Sequence, residues 1–317
     1  MCRESRVQRE KLQKARSTME LQRIATEQRN ENSMHIDELS TLDMVKLINS
    51  EDKKVAFAVE KETEHIAEAV DLIANKLRIG GRLIYMGCGT SGRLGILDAS
   101  ECPPTYSADP EQVIGLIAGG TSAIFKAVEG AEDSKELGAE DLKKINASEK
   151  DVVVGIAASG RTPYVIGGME YAKSIGIKVV GVTCCAGSAI DTLADIGIAP
   201  MPGPEVVTGS TRMKSGTAQK MVLNMLTTGA MIKLGKVYGN LMVDVKPSNE
   251  KLIQRCITIV QSATDVTAEE AKQALEQCEY HPKTAIVMIE MKWNAAQARE
   301  ALEKADGRIA QALKMEI

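Results

Sequence analysis

Aromatic side chains are scarce: 3% of the 317 residues, with one Trp and two Phe. That argues against stacking platforms for nucleic-acid bases. A basic surplus is also missing, since 39 Lys and Arg against 43 Asp and Glu leave a net charge of -4. A polyanion binder normally shows a basic surplus or stripe, so no nucleic-acid partner is expected. Long apolar runs are absent too; no stretch approaches the roughly 18 residues that a membrane crossing requires. The first 25 residues are charged throughout and have no apolar core of a signal peptide, which leads us to expect a cytoplasmic protein without membrane contact. Only three histidines occur, His35, His65 and His281, far apart and outside any HxH or HExxH pattern, so no metal site is expected. The seven cysteines, at 2, 88, 102, 184, 185, 256 and 278, are odd in number and lack CxxC spacing. They are read as free thiols in a reducing compartment.

What the chain does contain is alternation. Apolar residues from 40 to 77 recur at three- and four-residue steps, which predicts two amphipathic helices broken near Ser50-Glu51-Asp52. Short apolar runs then appear at RLIYMG, QVIGLIAGG (112–120), DVVVGIAAS (151–159), KVVGVTC (178–184) and IGIAPM (196–201), separated by helical segments. One of these segments is the stretch from AIFKAVEG to DLKKI; a longer one spans about 215 to 234. Strands alternating with helices predict an α/β fold, a three-layer sandwich built on a mainly parallel sheet. Beyond Asn249 only helical periodicity remains, opened in part by the capping-box pattern Thr267-x-x-Glu270. The expected organisation is an N-terminal extension at 1–25, a sheet domain with its N-terminal helices at 26–248, and a small module of three or four helices at 249–317.

Two strand-loop-helix units resemble each other. GCGTSGR follows the first strand and ASGRTP follows the third. Small residues, hydroxyls and a helix N-terminus together suit an anion, so Gly89, Thr90 and Ser91 from one loop and Ser159, Gly160 and Thr162 from the other are candidate phosphate ligands. No GxxxxGK[ST] motif occurs. GCGTSG matches GxGxxG, but the second strand ends in AGGT where the acidic ribose partner of a dinucleotide site should stand. A phosphorylated small molecule is therefore the expected ligand. Before the long helix, GSTRMKSGTAQK offers Ser210, Thr211 and Lys214, either as a capped helix start or as the wall of the sugar pocket. In the second reading the Lys214 cation offsets a carboxylate on the ligand.

GRLIYMGCGTSGRLGILDASECPPTY, IAASGRTPYVI and GPEVVTGSTRMKSGTAQKMVLNML, in that order, resemble the N-acetylmuramic acid 6-phosphate etherase family of sugar isomerase (SIS) domain proteins. The similarity runs from about Thr26, in TEQRN, to the C-terminus. The resemblance implies a cytoplasmic homodimeric lyase of cell-wall sugar recycling that uses no metal or other cofactor. It also implies two catalytic carboxylates, Glu101 in ASECPP and Glu132 in EGAED, with Glu101 as the acid at the lactyl ether and Glu132 as the base at C2. On the residues alone, Glu132 also reads as part of a solvated helix face with Glu129 and Asp133, and Glu101 as the end of a helix before Pro103. A straight helix from 91 to 101 would set Glu101 about 15 Å from the phosphate loop. Either that helix ends or bends near Gly95, or Glu101 serves the sugar bound to a second copy, which is the reading carried forward. Cys88 and Cys102 lack a histidine partner and are read as packing residues. Two rival functions remain, a non-catalytic sugar-phosphate sensor and an aldose-ketose isomerase.

Overall fold

A computed structural model describes residues 25 to 315 apart from 127, 246 and 248. The expected N-terminal extension, with Cys2, lies almost wholly outside them. Helices α1 (Thr41–Glu60) and α2 (Thr63–Arg78) come first. Then follow β1 (Leu83–Gly87), α3 (Gly89–Tyr106), β2 (Val113–Ile117), the short α4 (Ser122–Phe125) and α5 (Lys135–Lys144). After these come β3 (Val152–Ile156), α6 (Pro163–Ser174), β4 (Lys178–Val182), α7 (Ala189–Leu193), β5 (Ile196–Ile198) and α8 (Lys214–Lys233). The five strands form one parallel sheet in the order β2-β1-β3-β4-β5.

Each central strand is buried on both faces, which explains why β1 and β3 read as unbroken apolar runs. Leu83, Tyr85, Val152, Val154, Val180 and Val182 face one core with α1, α2 and α8. Ile84, Met86, Val153 and Val179 face the other, with Leu142 of α5 and Tyr164, Val165 and Met169 of α6. The period of two along each strand thus produces the three layers. Burying each of these large apolar side chains contributes about 1.5–3 kcal/mol. At the amino edge of the sheet, Arg82 grips Asp151 with Nε at 3.1 Å and Nη2 at 2.8 Å, locking the starts of β1 and β3 side by side.

Three expectations shift. Helix α1 runs straight through Ser50-Glu51-Asp52, because Glu51 turns inward to a buried lysine instead of marking a turn; the break falls at Lys61-Glu62. The stretch between β2 and α5 is not one helix: Glu132 sits in a 3-10 turn, Ala131–Asp133, entered through Gly130 at φ 75°. The helical module also begins earlier than Asn249. A two-stranded hairpin, β6 (Val237–Tyr238) and β7 (Leu241–Met242), precedes it, and Val243 and Val245 belong to its core. Among the described residues five helices, against the three or four expected, complete the module: α9 (Glu250–Thr264), α10 (Ala268–Gln277), α11 (Pro282–Met291), α12 (Ala295–Lys304) and α13 (Ile309–Ala312). The Thr267–Glu270 capping box forms as expected. Among the described residues no helix is long and apolar enough to cross a membrane.

Candidate active site

In an open parallel sheet, ligands gather where strand order reverses, because the loops at the carboxyl ends of the two flanking strands diverge there. Here the reversal lies between β1 and β3. Both hydroxyl-bearing loops leave the sheet at that point. A cavity of about 250 Å³ opens between them, lined by Cys88, Gly89, Thr90 and Ser91 on one side and by Ala157, Ala158, Ser159 and Thr162 on the other.

The first loop is held by glycine. Gly87 and Gly92 interlock: a Cβ on Gly87 would lie 2.6 Å from the Gly92 nitrogen, and one on Gly92 would lie 2.7 Å from the Gly87 carbonyl oxygen. Gly89 takes φ 51°, in the left-handed region, so that α3 can start directly on the strand end. Its N-cap residue, Cys88, makes no side-chain capping bond. The first free backbone donor that closes back is Gly92, to the Cys88 carbonyl at 3.2 Å. The N-H groups of the preceding residues therefore have no intrahelical partner and are directed to the cavity end of α3. At the second loop, Thr162 caps α6 by position without a side-chain bond, and Pro163 starts the helix. The Thr162 hydroxyl is therefore not consumed by its own helix. Gly160, at φ 65°, is packed against Ser188 behind the rim and lines no part of the cavity.

Glu132, Glu27, Gly209 and Thr211 complete the lining. The carboxylate of Glu132 is close enough to Cys88 that, after burial, its charge is the next cause of a thiol pushed up to about 12. A thiol so raised is no nucleophile near neutral pH, in keeping with the packing role expected of Cys88. Cys102 is likewise raised to about 12, by burial and then by the Asp98 and Glu101 charges.

Other expected site residues stand elsewhere. Lys214 is a correction: it is 1% exposed, and its Nζ donates to Glu51 Oε2 at 2.8 Å and to the Pro202 carbonyl at 3.0 Å. A cation so enclosed does not face the cavity. Ser210 is half-buried in the turn ahead of α8 and is not part of the lining. Ser91 lines the cavity but is only 8% exposed, and its Oγ donates to Gln219 Oε1 at 2.9 Å. Glu101 is exposed and outside the cavity. Helix α3 does not end before Pro103; it continues through Pro103 and Pro104 to Tyr106 without a break at Gly95. Glu101 therefore lies about 15 Å along the axis from Ser91. One chain brings Glu132 to the two hydroxyl-bearing loops and leaves Glu101 outside.

Sequence reading missed Glu27 and Gly209. Neither carries a local signal, since Glu27 lies more than 50 residues before the nearest loop and Gly209 reads as a turn residue.

Comparison with known proteins agrees with this architecture. Residues 65–173 match the glucokinase regulatory protein N-terminal SIS domain, 126–229 the SIS domain, and 239–301 the C-terminal lid domain of glucokinase regulatory protein. The last match begins at the hairpin, as the second core does. An N-acetylmuramic acid 6-phosphate etherase from Clostridium beijerinckii is 60% identical over 94% of this chain and 98% of its own length. N-acetylmuramic acid 6-phosphate etherase 1 from Vibrio cholerae serotype O1 is 61% identical over 94% and 99%. Identity at that level over nearly the whole of both chains leaves no room for a shared fold alone: the chain belongs to the N-acetylmuramic acid 6-phosphate etherase family.

Proposed function

We propose that this chain cleaves the D-lactyl ether of N-acetylmuramate 6-phosphate, yielding N-acetylglucosamine 6-phosphate and D-lactate in cytoplasmic recycling of cell-wall sugars. The observation that carries the proposal is Glu132 facing a cavity between two anion-suited loops, in a chain of this family. The phosphate is held by the backbone donors of Gly89 to Ser91 and by the hydroxyls of Thr90, Ser159 and Thr162. The open-chain sugar then extends toward Glu132.

In the open-chain form the C1 aldehyde acidifies the C2 proton. Glu132 removes that proton, the C3–O bond breaks, and Glu101 protonates the departing ether oxygen, so lactate leaves with its own oxygen. Glu101 then draws a proton from water as its oxygen adds to C3, and a proton returns to C2. One water is consumed and no net charge is created. Such a sequence needs two carboxyl groups in opposite protonation states.

Glu101 enters from a second copy of the chain. An unbroken α3 and an exposed Glu101 support that reading, since one chain keeps the two carboxylates apart. The catalytic unit is accordingly a homodimer with sites shared across its interface.

The test is turnover in ¹⁸O-labelled water. Label in the C3 hydroxyl of the sugar, with unlabelled lactate, is expected. Labelled lactate would overturn the elimination route, and no lactate would favour a sensor or an isomerase.

A further inference from the structure

We propose that Glu27 is a substrate-contacting residue of this site, a third carboxylate that accepts hydrogen bonds from the hydroxyls of the bound sugar. The proposal rests on the sugar-phosphate reading above. Among the described residues Glu27 and Glu132 are the carboxylates that line the cavity; Glu27 comes from the segment ahead of α1 and Glu132 from the 3-10 turn between β2 and α5. The Glu27 carboxylate lies against Gly209: a Cβ built there would be 3.6 Å from Oε2, and the glycine takes φ 76°.

The segment bearing Glu27 is irregular, yet it is fastened at buried points. Thr26 beside it is 2% exposed. Asn30 Nδ2 donates to Glu51 Oε2 at 3.0 Å and to the Pro204 carbonyl at 3.1 Å, and Ser33 Oγ donates to the Val206 carbonyl at 2.7 Å. Those same carbonyls belong to the loop that delivers Gly209 to the cavity. The buried Glu51–Lys214 pair thus ties both segments to one point, and both end at the cavity rim. An anchored segment with an exposed carboxylate at its cavity end is built to present that carboxylate.

Chemistry assigns the role. The loop rims consist of N-H groups and hydroxyls, which suit a phosphate. A sugar phosphate also carries hydroxyl donors along its carbon chain, and these need acceptors. An ionised carboxylate accepts only, through two oxygens. Glu132 is committed to C2, which leaves Glu27 for the hydroxyls. Repulsion between Glu27 and the phosphate sets the two at opposite ends of the ligand.

The experiment is calorimetric binding of N-acetylglucosamine 6-phosphate and, separately, of inorganic phosphate to the full chain, wild type, E27A and E27Q. Because Glu27 is exposed, both variants should fold. E27A should weaken the sugar phosphate by at least about tenfold while leaving inorganic phosphate within about twofold. E27Q, which keeps one acceptor, should recover part of the loss. Wild-type sugar-phosphate affinity in E27A, or an equal loss for both ligands, overturns the proposal. Failure of the wild type to bind the sugar phosphate overturns both this assignment and the function it rests on. If wild type releases no lactate but the binding pattern holds, the lyase reading falls and Glu27 stands.

Discussion

Replacing Lys214 by Met separates a structural cation from a ligand-binding one. Lys214 and Glu51 are 1% and 2% exposed and meet at 2.8 Å. Removing one partner of a buried pair leaves the other charge uncompensated, at a cost of about 3–5 kcal/mol. Glu51 keeps Asn30 at 3.0 Å, Asn32 at 2.9 Å and Lys54 at 2.5 Å, so the lower end applies, about 3 kcal/mol. A compensating Glu51→Leu change in the same chain should recover part of that loss, since an apolar pair no longer strands a charge. The pH dependence carries the same signature. Burial alone pushes the Glu51 carboxyl up, but hydrogen bonds from Lys214, Lys54, Asn32 and Asn30 outweigh it and hold the group down at about 2, below its ordinary 4.5. The folded value is depressed, so its stabilisation is complete above about pH 4.5 and is lost as pH falls through about 2. Lys214→Met should move that loss to higher pH. Urea unfolding followed by circular dichroism, repeated between about pH 2 and 7, measures all three effects. If Lys214→Met unfolds at the wild-type urea concentration yet no longer binds phosphate, Lys214 reaches the ligand and the burial argument is refuted.

Three other outcomes follow from the same geometry. Mixing Glu101→Gln with Glu132→Gln subunits should restore about one quarter of wild-type lactate release, because half the dimers are mixed and each carries one intact shared site; no recovery after verified subunit exchange would place both carboxylates in one chain. Gly160→Ala should weaken competition by inorganic phosphate at least about tenfold, since its Cβ would fall 2.0 Å from Ser188 Oγ at a φ of 65° and overpacking of this kind costs about 1–3 kcal/mol. Cys88 should resist iodoacetamide at pH 8 and react only as pH approaches about 12. Glu132→Gln should make the thiol more reactive at a given pH, and unchanged alkylation rates would mean that the Glu132 charge does not reach it.

The strands were legible because each is a short apolar run ended by a polar residue or glycine, and the burial of β1 and β3 on both faces leaves no alternation there to misread. The cavity between the two hydroxyl-bearing loops was legible for a different reason. Hydroxyls and small residues after a strand have few other uses, and a repeated pattern points to one shared site. Glu51 was misread because a polar triplet in a helical pattern suggests a break, and only the fold brings Lys214, 163 residues away, to neutralise it. Lys214 was misread by the same omission from the other side. Glu132 looked like one acidic residue among three on a helix. The helix stops at Phe125, and Gly130 at φ 75° leads Glu132 into a 3-10 turn, which a count of helical periods does not register. Glu27 had no local pattern at all, because its place depends on anchors at Pro204 and Val206.

The interlocked pair Gly87 and Gly92 bears on how such a site can diversify. With backbone packed on backbone, neither position has room for even a methyl group, so the end of the cavity where β1 meets α3 has no slack to be reshaped. Glu27, Glu132 and Thr211 come from three separate segments outside the sheet, and each can shift or be exchanged without disturbing that seam. A saturation library should therefore show two blank columns at 87 and 92, with altered preference among sugar phosphates arising from the three surrounding segments.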